Sequence, residues 1–545
     1  MTALSGVVRD LRSALAPRAA VGRLAQLARR PGPDFIILAA LLVGAKALVG
    51  SPVLTAWRSV DVFTSPFLLW RLIVVNAEWL RLLFPHAVLL VLGVRPRWES
   101  WESGQRLRVV IMVLSTAVAW SAATYSYNEY FGHGHWLDRA LVLILAGIGW
   151  KRPMAVPYLT MLASVLLQQA GHPIGVDSFD WRPILEVMCL FSCFVWLAFL
   201  PNLNTRHFVL VALALIGTYY FEAGIAKIRF RPVGSWVFED DLSNLLIAAH
   251  MRGWLSFIPD AWIYAVAHPL RALSPVLTVF TVVTELGFLL LFMHRRLTRP
   301  FLLMAAALHV GIFLLAGIFF WKWVLLNLLW FWFFKADQAD VRKSWFDHRL
   351  TAAFAVVLAV FGGRQYFRPQ IGVAWWDTNF NELYEINAIG KSGASYRVAP
   401  DEFAPNDVTL VQANYWKLVN GPSLMNVYGS AYNHDLYVAL KKATSLDEIP
   451  PIYRRFAQNR YNEGWQKSFD ELMRRNFRSW NQHGFRHRWL RWIGRPPHLW
   501  VFPRNAVAKL PETIVRVDIT RQPVLFSSDA VQRGSRDVIH SIKID

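Results

Sequence analysis

Ionisable side chains set among apolar residues are the first candidates for chemistry in this sequence. They comprise Arg71, Glu78, Arg81 and His86, then Glu186, Glu222 and Lys227, and finally Glu285, His294 and His309. A charge in hydrocarbon costs roughly 3 kcal/mol even on conservative scales, so a chain keeps one where it has a partner or a task. The most informative stretch is Thr218-Tyr-Tyr-Phe-Glu-Ala-Gly-Ile-Ala-Lys-Ile228, in which Ala223 and Gly224 stand one turn before Lys227. Small residues there let a neighbouring helix approach closely. A lysine partly withdrawn from water can reach its neutral amine form and serve as a general base. The plainer alternative is a lysine that ends a helix and reaches back to water along its own stem. Arg71, Glu78 and Arg81 have helical spacing and fit pairing along an interfacial helix. The only two cysteines, Cys189 and Cys193, stand four apart on one helix face and read as packing residues, with no Cys-x-x-Cys redox motif.

The elements that must hold these groups are membrane helices. Of the 545 residues, 55% are hydrophobic, and they gather in blocks such as Leu273 to Phe292 and Pro300 to Phe320, each nearly free of charge. The pattern predicts an α-helical polytopic membrane bundle of roughly nine to eleven helices, followed by a soluble mixed α/β, mostly β, domain. Candidate spans are residues 35–49, 79–94, 108–125, 138–150, 153–169, 183–200, 207–226, 273–293, 300–319, 320–334 and 350–363. The net charge of +20 sits largely between these blocks, at Arg95 and Arg97, Lys151 and Arg152, and Arg295, Arg296 and Arg299. That is the flanking pattern of membrane helices, and no nucleic-acid-reading motif accompanies it. Residues 1–34 form a basic arm without a cleavage site, expected to stay cytoplasmic. If every candidate crosses, the basic links and the 335–349 segment return to the cytoplasm. The 126–137 loop, the 228–272 segment and residues 364–545 then lie outside, with 35–363 as the membrane domain.

Beyond about Gly363 the apolar blocks stop. Val408-Thr-Leu-Val-Gln412 and Thr513-Ile-Val-Arg-Val-Asp-Ile519 read as strands, and Ile452 to His483 carries aromatic and charged residues at helical spacing.

Tyr220-Phe-Glu-Ala-Gly-Ile-Ala-Lys-Ile228 resembles the Tyr-Phe-x-Ala-Gly-x-x-Lys-Leu segment of the HTTM family, which includes the vitamin K-dependent gamma-carboxylases and bacterial relatives. Further blocks follow in the family's order. Trp236 comes after the lysine, then Glu285-Leu-Gly-Phe-Leu-Leu-Leu-Phe292 and its basic link lead to Leu308-His-Val-Gly-Ile-Phe-Leu-Leu-Ala-Gly-Ile-Phe-Phe320. The resemblance covers roughly residues 105–335. Trp375-Trp376-Asp377 is the nearest counterpart of the family's aromatic segment after the last span.

The resemblance implies that Lys227 deprotonates a reduced quinone, vitamin K or menaquinol. Oxygenation then yields a stronger base, which removes a glutamate γ-proton before CO2 adds, so O2 and CO2 are cosubstrates and no metal is expected. It implies roles for His133 and His135, in the loop His133-Gly-His135-Trp-Leu, as assisting catalytic residues. Trp236, Glu285 and His309 would line the quinone site. Read from the residues alone, an exposed loop histidine with no role and an interhelical hydrogen bond between Glu285 and His309 fit equally well. The expected partners are the lipid bilayer and a secreted peptide or protein, with no nucleic acid, and the expected location is a bacterial inner membrane. The alternatives are a peptide-maturation factor with altered chemistry on the same scaffold, and a non-catalytic membrane scaffold or transporter.

Overall fold

The computed structural model describes residues 33–49, 63–75, 104–124, 129–169, 172–174, 181–197, 203–293, 296–334, 374–404, 414–424, 429–485, 493–526 and 530–544, with a few isolated positions besides. The expected basic arm up to residue 32, most of the 79–94 span, Glu78, Arg81, His86, His294 and most of residues 408–412 lie outside them, while of the 350–363 span residues 355–358 and 360 are described, as helix.

Thirteen helices make up the described part of the first 334 residues: α1 Pro33–Val49, α2 Leu68–Val75, α3 Gly104–Thr124, α4 Trp136–Lys151, α5 Val156–Gln168, α6 Arg182–Trp196, α7 Thr205–Arg229, α8 Ser235–Glu239, α9 Leu242–Arg252, α10 Asp260–Gly287, α11 Leu290–Met293, α12 Thr298–Ala316 and α13 Trp321–Phe333. Among the described residues four helices are long and apolar enough to cross a membrane: Gln105–Thr124, Thr205–Arg229, Asp260–Gly287 and Thr298–Ala316. Shorter apolar helices run through Ile36–Ala45, Pro153–Leu167 and Pro183–Trp196. Apolar side chains all round α7 explain why it is buried along most of its length.

Caps set the boundaries. Asn204 accepts a hydrogen bond from the Arg206 amide while the His207 ring takes the Asn204 amide, which starts α7. Asp241 caps α9 through the Ser243 amide. Gly317 ends α12 at φ 68°, a left-handed conformation that favours glycine.

One expectation is corrected in shape. The stretch 228–272, read as an outer loop before a span beginning at residue 273, contains α8, α9 and the first half of α10. Asp241 accepts a hydrogen bond from Arg271 at 2.8 Å, so α10 carries this cation without leaving it uncompensated, and its helix starts well before the apolar block.

From residue 374 the described residues form two short pairs, β1 Trp376–Asp377 with β5 Ser430–Ala431 and β4 Pro422–Ser423 with β6 Gln458–Asn459, and one five-stranded antiparallel sheet. Its centre is the pair β2 Phe380–Gly390 and β7 Ile514–Phe526, in continuous register from Phe380 opposite Leu525 to Ile389 opposite Arg516, with a one-residue shift before Gly390 meets Ile514. β3 Ser395–Val398 flanks β2, while β8 Val531–Arg533 and β9 Asp537–Lys543 share the other edge of β7. The expected strand at 513–519 is thus the start of β7. The expected helical stretch at 452–483 is a pair of helices, Ile449–Phe456 and Glu463–His483. Phe469, Leu472, Met473 and Phe477 of the second cover the sheet, and they belong to one buried apolar cluster that continues into the helical bundle.

The sheet domain grips a single end of that bundle. Ile493 takes the Trp120 indole N–H, Arg475 reaches the Tyr130 carbonyl, and Trp465 reaches the carbonyl of Ile174. Phe319 donates to His498, Trp500 donates to Gly317, and Arg504 caps the carbonyls of Ser256 and Ile258. Residues 129–135, 172–174, 230–259 and 317–320 are thereby gathered at that end. Lys151 and Arg299 lie at the opposite ends of α4 and α12.

Gly317 has no room to change: a Cβ would come within 2.8 Å of the Trp254 ring. Gly317→Ala is expected to lower the thermal midpoint of the purified protein, by at least the ~1–2 kcal/mol that a left-handed alanine costs. Gly311→Ala, in open space within α12, is expected to leave it unchanged or raise it. Differential scanning fluorimetry in detergent compares the two.

Candidate active site around Lys227

Lys227 sits in the last turn of α7, where the helix meets α10. Gly224, three residues earlier, is what lets the two helices touch: a Cβ there would lie 2.8 Å from the Leu286 side chain and 3.0 Å from the Glu285 Cβ. The close approach expected from the small residues is present. It carries the Lys227 ammonium nitrogen to both carboxylate oxygens of Glu285, at 2.6 and 2.8 Å. The two side chains are 10% and 8% exposed. An ion pair so placed is held far more firmly than a surface pair, because little water screens it.

The Trp236 ring forms one wall, its centroid 5.4 Å from the Lys227 nitrogen. Its indole N–H is fixed by the Trp375 carbonyl at 2.7 Å, so the sheet domain positions this wall. Phe230 packs on Trp376 beside it, at 4.1 Å between centroids.

Two turns back along α7 lies a second polar group. The Tyr220 hydroxyl is 3.1 Å from His309 Nε2 and accepts from Asn327 Nδ2 at 2.6 Å. Which of the phenol and the ring nitrogen donates to the other depends on the tautomer of His309. Among the described residues neither His309 Nδ1 nor Asn327 Oδ1 has a hydrogen-bond partner, although both are buried. Asn327 Oδ1 is an acceptor, and His309 Nδ1 donates or accepts according to the same tautomer. A buried polar atom left this way costs about 1–3 kcal/mol, so an oxygen-bearing ligand would be stabilised by meeting them. Tyr220 stacks on Phe288 at 4.6 Å and His309 on Trp323 at 5.4 Å, giving the group aromatic walls.

The structure therefore brings Lys227, Glu285 and Trp236 into contact and sets His309 one hydroxyl away from the same helix face. It does not bring the loop histidines there. His133 is exposed. His135 is 1% exposed and lies 3.8 Å from Asp138, whose carboxylate caps α2 through the Leu68 and Leu69 amides. Burial first, and then the charge of Arg139, pushes His135 down to about 4, so its imidazole is neutral at neutral pH. None of its contacts among the described residues reaches Lys227.

Four polar residues escaped the sequence reading. Tyr220 stands inside the motif itself but read as apolar, and Asn327 carried no signal beyond being polar in an apolar block. The others are Asp240, just after α8, and Asp377. Asp240 accepts from the Asp377 amide at 2.7 Å, and the Asp377 carbonyl accepts from Asn244. Burial, with the charge of Asp241 adding, pushes Asp377 up to about 7, and burial together with Asp377 raises Asp240 as well. Their neighbours Trp236 and Trp375 were the available pointer.

Removing one charge of the Lys227–Glu285 pair strands the other. Lys227→Met is expected to cost about 3–5 kcal/mol, and Lys227→Met with Glu285→Leu to recover most of it. Chemical denaturation in detergent measures both; a double variant as unstable as the single one would show that the pair is not what the helices depend on. Comparison of the chain with family models, with curated proteins and with solved structures finds no match.

Proposed function

We propose that the protein is a multi-pass membrane enzyme in which Lys227 acts as a base toward a hydroxyl of a reduced quinone, vitamin K or menaquinol, and that oxygenation drives carboxylation or another modification of a peptide. The observation that carries this reading is the Lys227 amine, withdrawn from water against Glu285 and the Trp236 ring. Glu285 gives the amine a place to pass its proton, 2.6 Å away, leaving a neutral nitrogen for the next transfer. The aromatic walls and the unpartnered His309 Nδ1 and Asn327 Oδ1 fit an aromatic ligand that bears oxygen at its rim. When bound, a reduced quinone and O2 supply the oxidative driving force, with epoxide and water as the by-products. The residues named here bind, orient and move protons.

The test uses purified protein in lipid nanodiscs with reduced menaquinone or vitamin K, labelled bicarbonate and a glutamyl peptide. Epoxide and label in the peptide are expected from the wild type. Lys227→Arg keeps a cation for Glu285 but offers no base, so it should fold and lose at least about 100-fold in rate. Absence of epoxide from the wild type, or equal epoxide from Lys227→Arg, overturns the reading. Epoxide without label points to altered chemistry on the same scaffold. A second reading has its own support: an ammonium that already donates to both oxygens of one carboxylate closes the pair on itself, as in an interhelical lock of a non-catalytic scaffold.

The sidedness belongs to the same proposal. In the segments that meet the sheet domain Arg231 and Arg252 stand beside Glu239, Asp240 and Asp241, whereas Lys151 and Arg299 lie at the other ends of their helices, which favours an extracytoplasmic sheet domain in a bacterial inner membrane. Ala394 and Lys151 are exposed, and both native cysteines are buried. In intact cells with a permeabilised outer membrane, Ala394→Cys should react with a charged maleimide and Lys151→Cys only after lysis; the reverse pattern inverts the topology.

A further inference from the structure

The seam between the helices and the sheet domain holds two acids that the chemistry at Lys227 does not use. Asp240 stands in the link from α8 to α9, and Asp377 ends β1. The Asp377 amide donates to Asp240 Oδ1 at 2.7 Å, and Asn244 of α9 donates to the Asp377 carbonyl at 3.1 Å. The backbone of β1 is thereby held to the bundle. The residue just before β1 fixes the wall over Lys227: the Trp375 carbonyl accepts the Trp236 indole N–H at 2.7 Å, and the Trp375 indole N–H goes to Asp377 Oδ1 at 3.1 Å.

Both acids are withdrawn from water, with Asp240 3% and Asp377 2% exposed. Asp240 Oδ2 is buried and makes no hydrogen bond, and among the described residues no cation pairs with either carboxylate. The charged groups packed around them are engaged with one another. Asp241 caps α9 and holds Arg271 of α10 at 2.8 Å. Glu239 holds His434 at 2.8 Å, while Lys441 donates to the Glu239 carbonyl and to the Tyr437 hydroxyl, both at 2.9 Å. Lys227, against the Trp236 ring, is paired with Glu285. Tyr432 and Tyr437 complete the surroundings as phenols that burial holds neutral.

A carboxylate oxygen with no donor in a dry seam favours the neutral acid, because its charge would face a second carboxylate with neither water nor a cation to screen it. Burial, with the charge of Asp241 adding, pushes Asp377 up to about 7, and burial together with Asp377 raises Asp240. The pair therefore keeps a proton toward neutrality, where an ordinary aspartate loses it near pH ~4. The closed seam binds more protons than a parted one. Its extra stability is full below pH ~4 and is lost as pH rises through about 7.

We propose that Asp240 and Asp377 form a latch closed by a shared proton: while it is held, β1 stays on the α8–α9 link and the Trp236 ring stays over Lys227, and its release to solvent frees β1 and the wall together. Only the effect on a reaction at Lys227 rests on the proposed function; the latch concerns the seam and is tested without substrate.

Hydrogen exchange of the full-length protein in lipid nanodiscs, read by mass spectrometry and corrected for the intrinsic pH dependence of amide exchange, tests this. Between about pH 6 and about pH 8.5 the protection of residues 375–378 should fall at least about tenfold, while that of residues 383–388 in β2 changes by less than about twofold. Asp240→Asn carries no charge and still offers an oxygen to the Asp377 amide, so it should keep the protection of the lower pH at the higher one. Asp377→Asn should do the same, and it decides the matter if Asp240→Asn does not fold. At about pH 8.5 a water-soluble succinimidyl ester should acylate Lys227 at least about threefold faster in the wild type than in Asp240→Asn. Equal protection of 375–378 at both pH values in the wild type, a parallel loss in β2, an undiminished loss in the folded Asn variants, or equal acylation of Lys227 would each overturn the proposal.

Discussion

The contact between Lys227 and Glu285 sets the terms for the helices around it. Two charges that meet away from water are stable only at short range, and any widening of the gap returns a desolvation cost of several kcal/mol. Helices α7 and α10 must therefore stay within a narrow distance, which the bare Gly224 makes attainable and the Leu286 side chain fills. The register of α10 follows, since Phe288, one turn beyond Glu285, then lands on Tyr220. Tyr220 in turn fixes His309 of α12 and Asn327 of α13. One ion pair and one phenol thus tie four helices together through polar contacts in a region where apolar packing has no directional preference.

The sheet domain does more than follow the bundle in sequence. Its residues share one apolar cluster with the helices, and Trp375 takes the indole N–H that steadies Trp236 over Lys227. The buried Asp240 and Asp377 meet across the same seam. A wall of the candidate site is in this way held by a residue 139 positions further along the chain.

Much of the bundle was legible from a one-dimensional rule: a long apolar run predicts a helix, and basic residues mark its ends. α3, α6, α7, α12 and α13 fall close to where apolar blocks stood. α10 departs from that rule, because Arg271 and two prolines interrupted the apolar run while Asp241, distant in sequence, compensated the charge. The candidate site was legible where a pattern was local, as in the small residues ahead of Lys227. Its pairing with Glu285, 58 residues away, is a tertiary fact that one sequence does not print. The loop histidines show the converse: His133 and His135 had the right residue type and order, but their packing belongs to the entrance of α4 and the cap of α2.

The hydrogen bond from Trp120 to Ile493 joins residues 373 positions apart, and Gly317 and Tyr130 are likewise met by residues 500 and 475. The Trp120 indole N–H and the carbonyls of Gly317 and Tyr130 gain their partners only once nearly the whole polypeptide has been synthesised. During translation the helices that emerge first must wait with an uncapped rim, and formation of the helices and closure of the rim become separate events in time. Premature termination anywhere before residue 500 would leave a bundle whose rim lacks these late partners, a natural target for quality-control proteolysis.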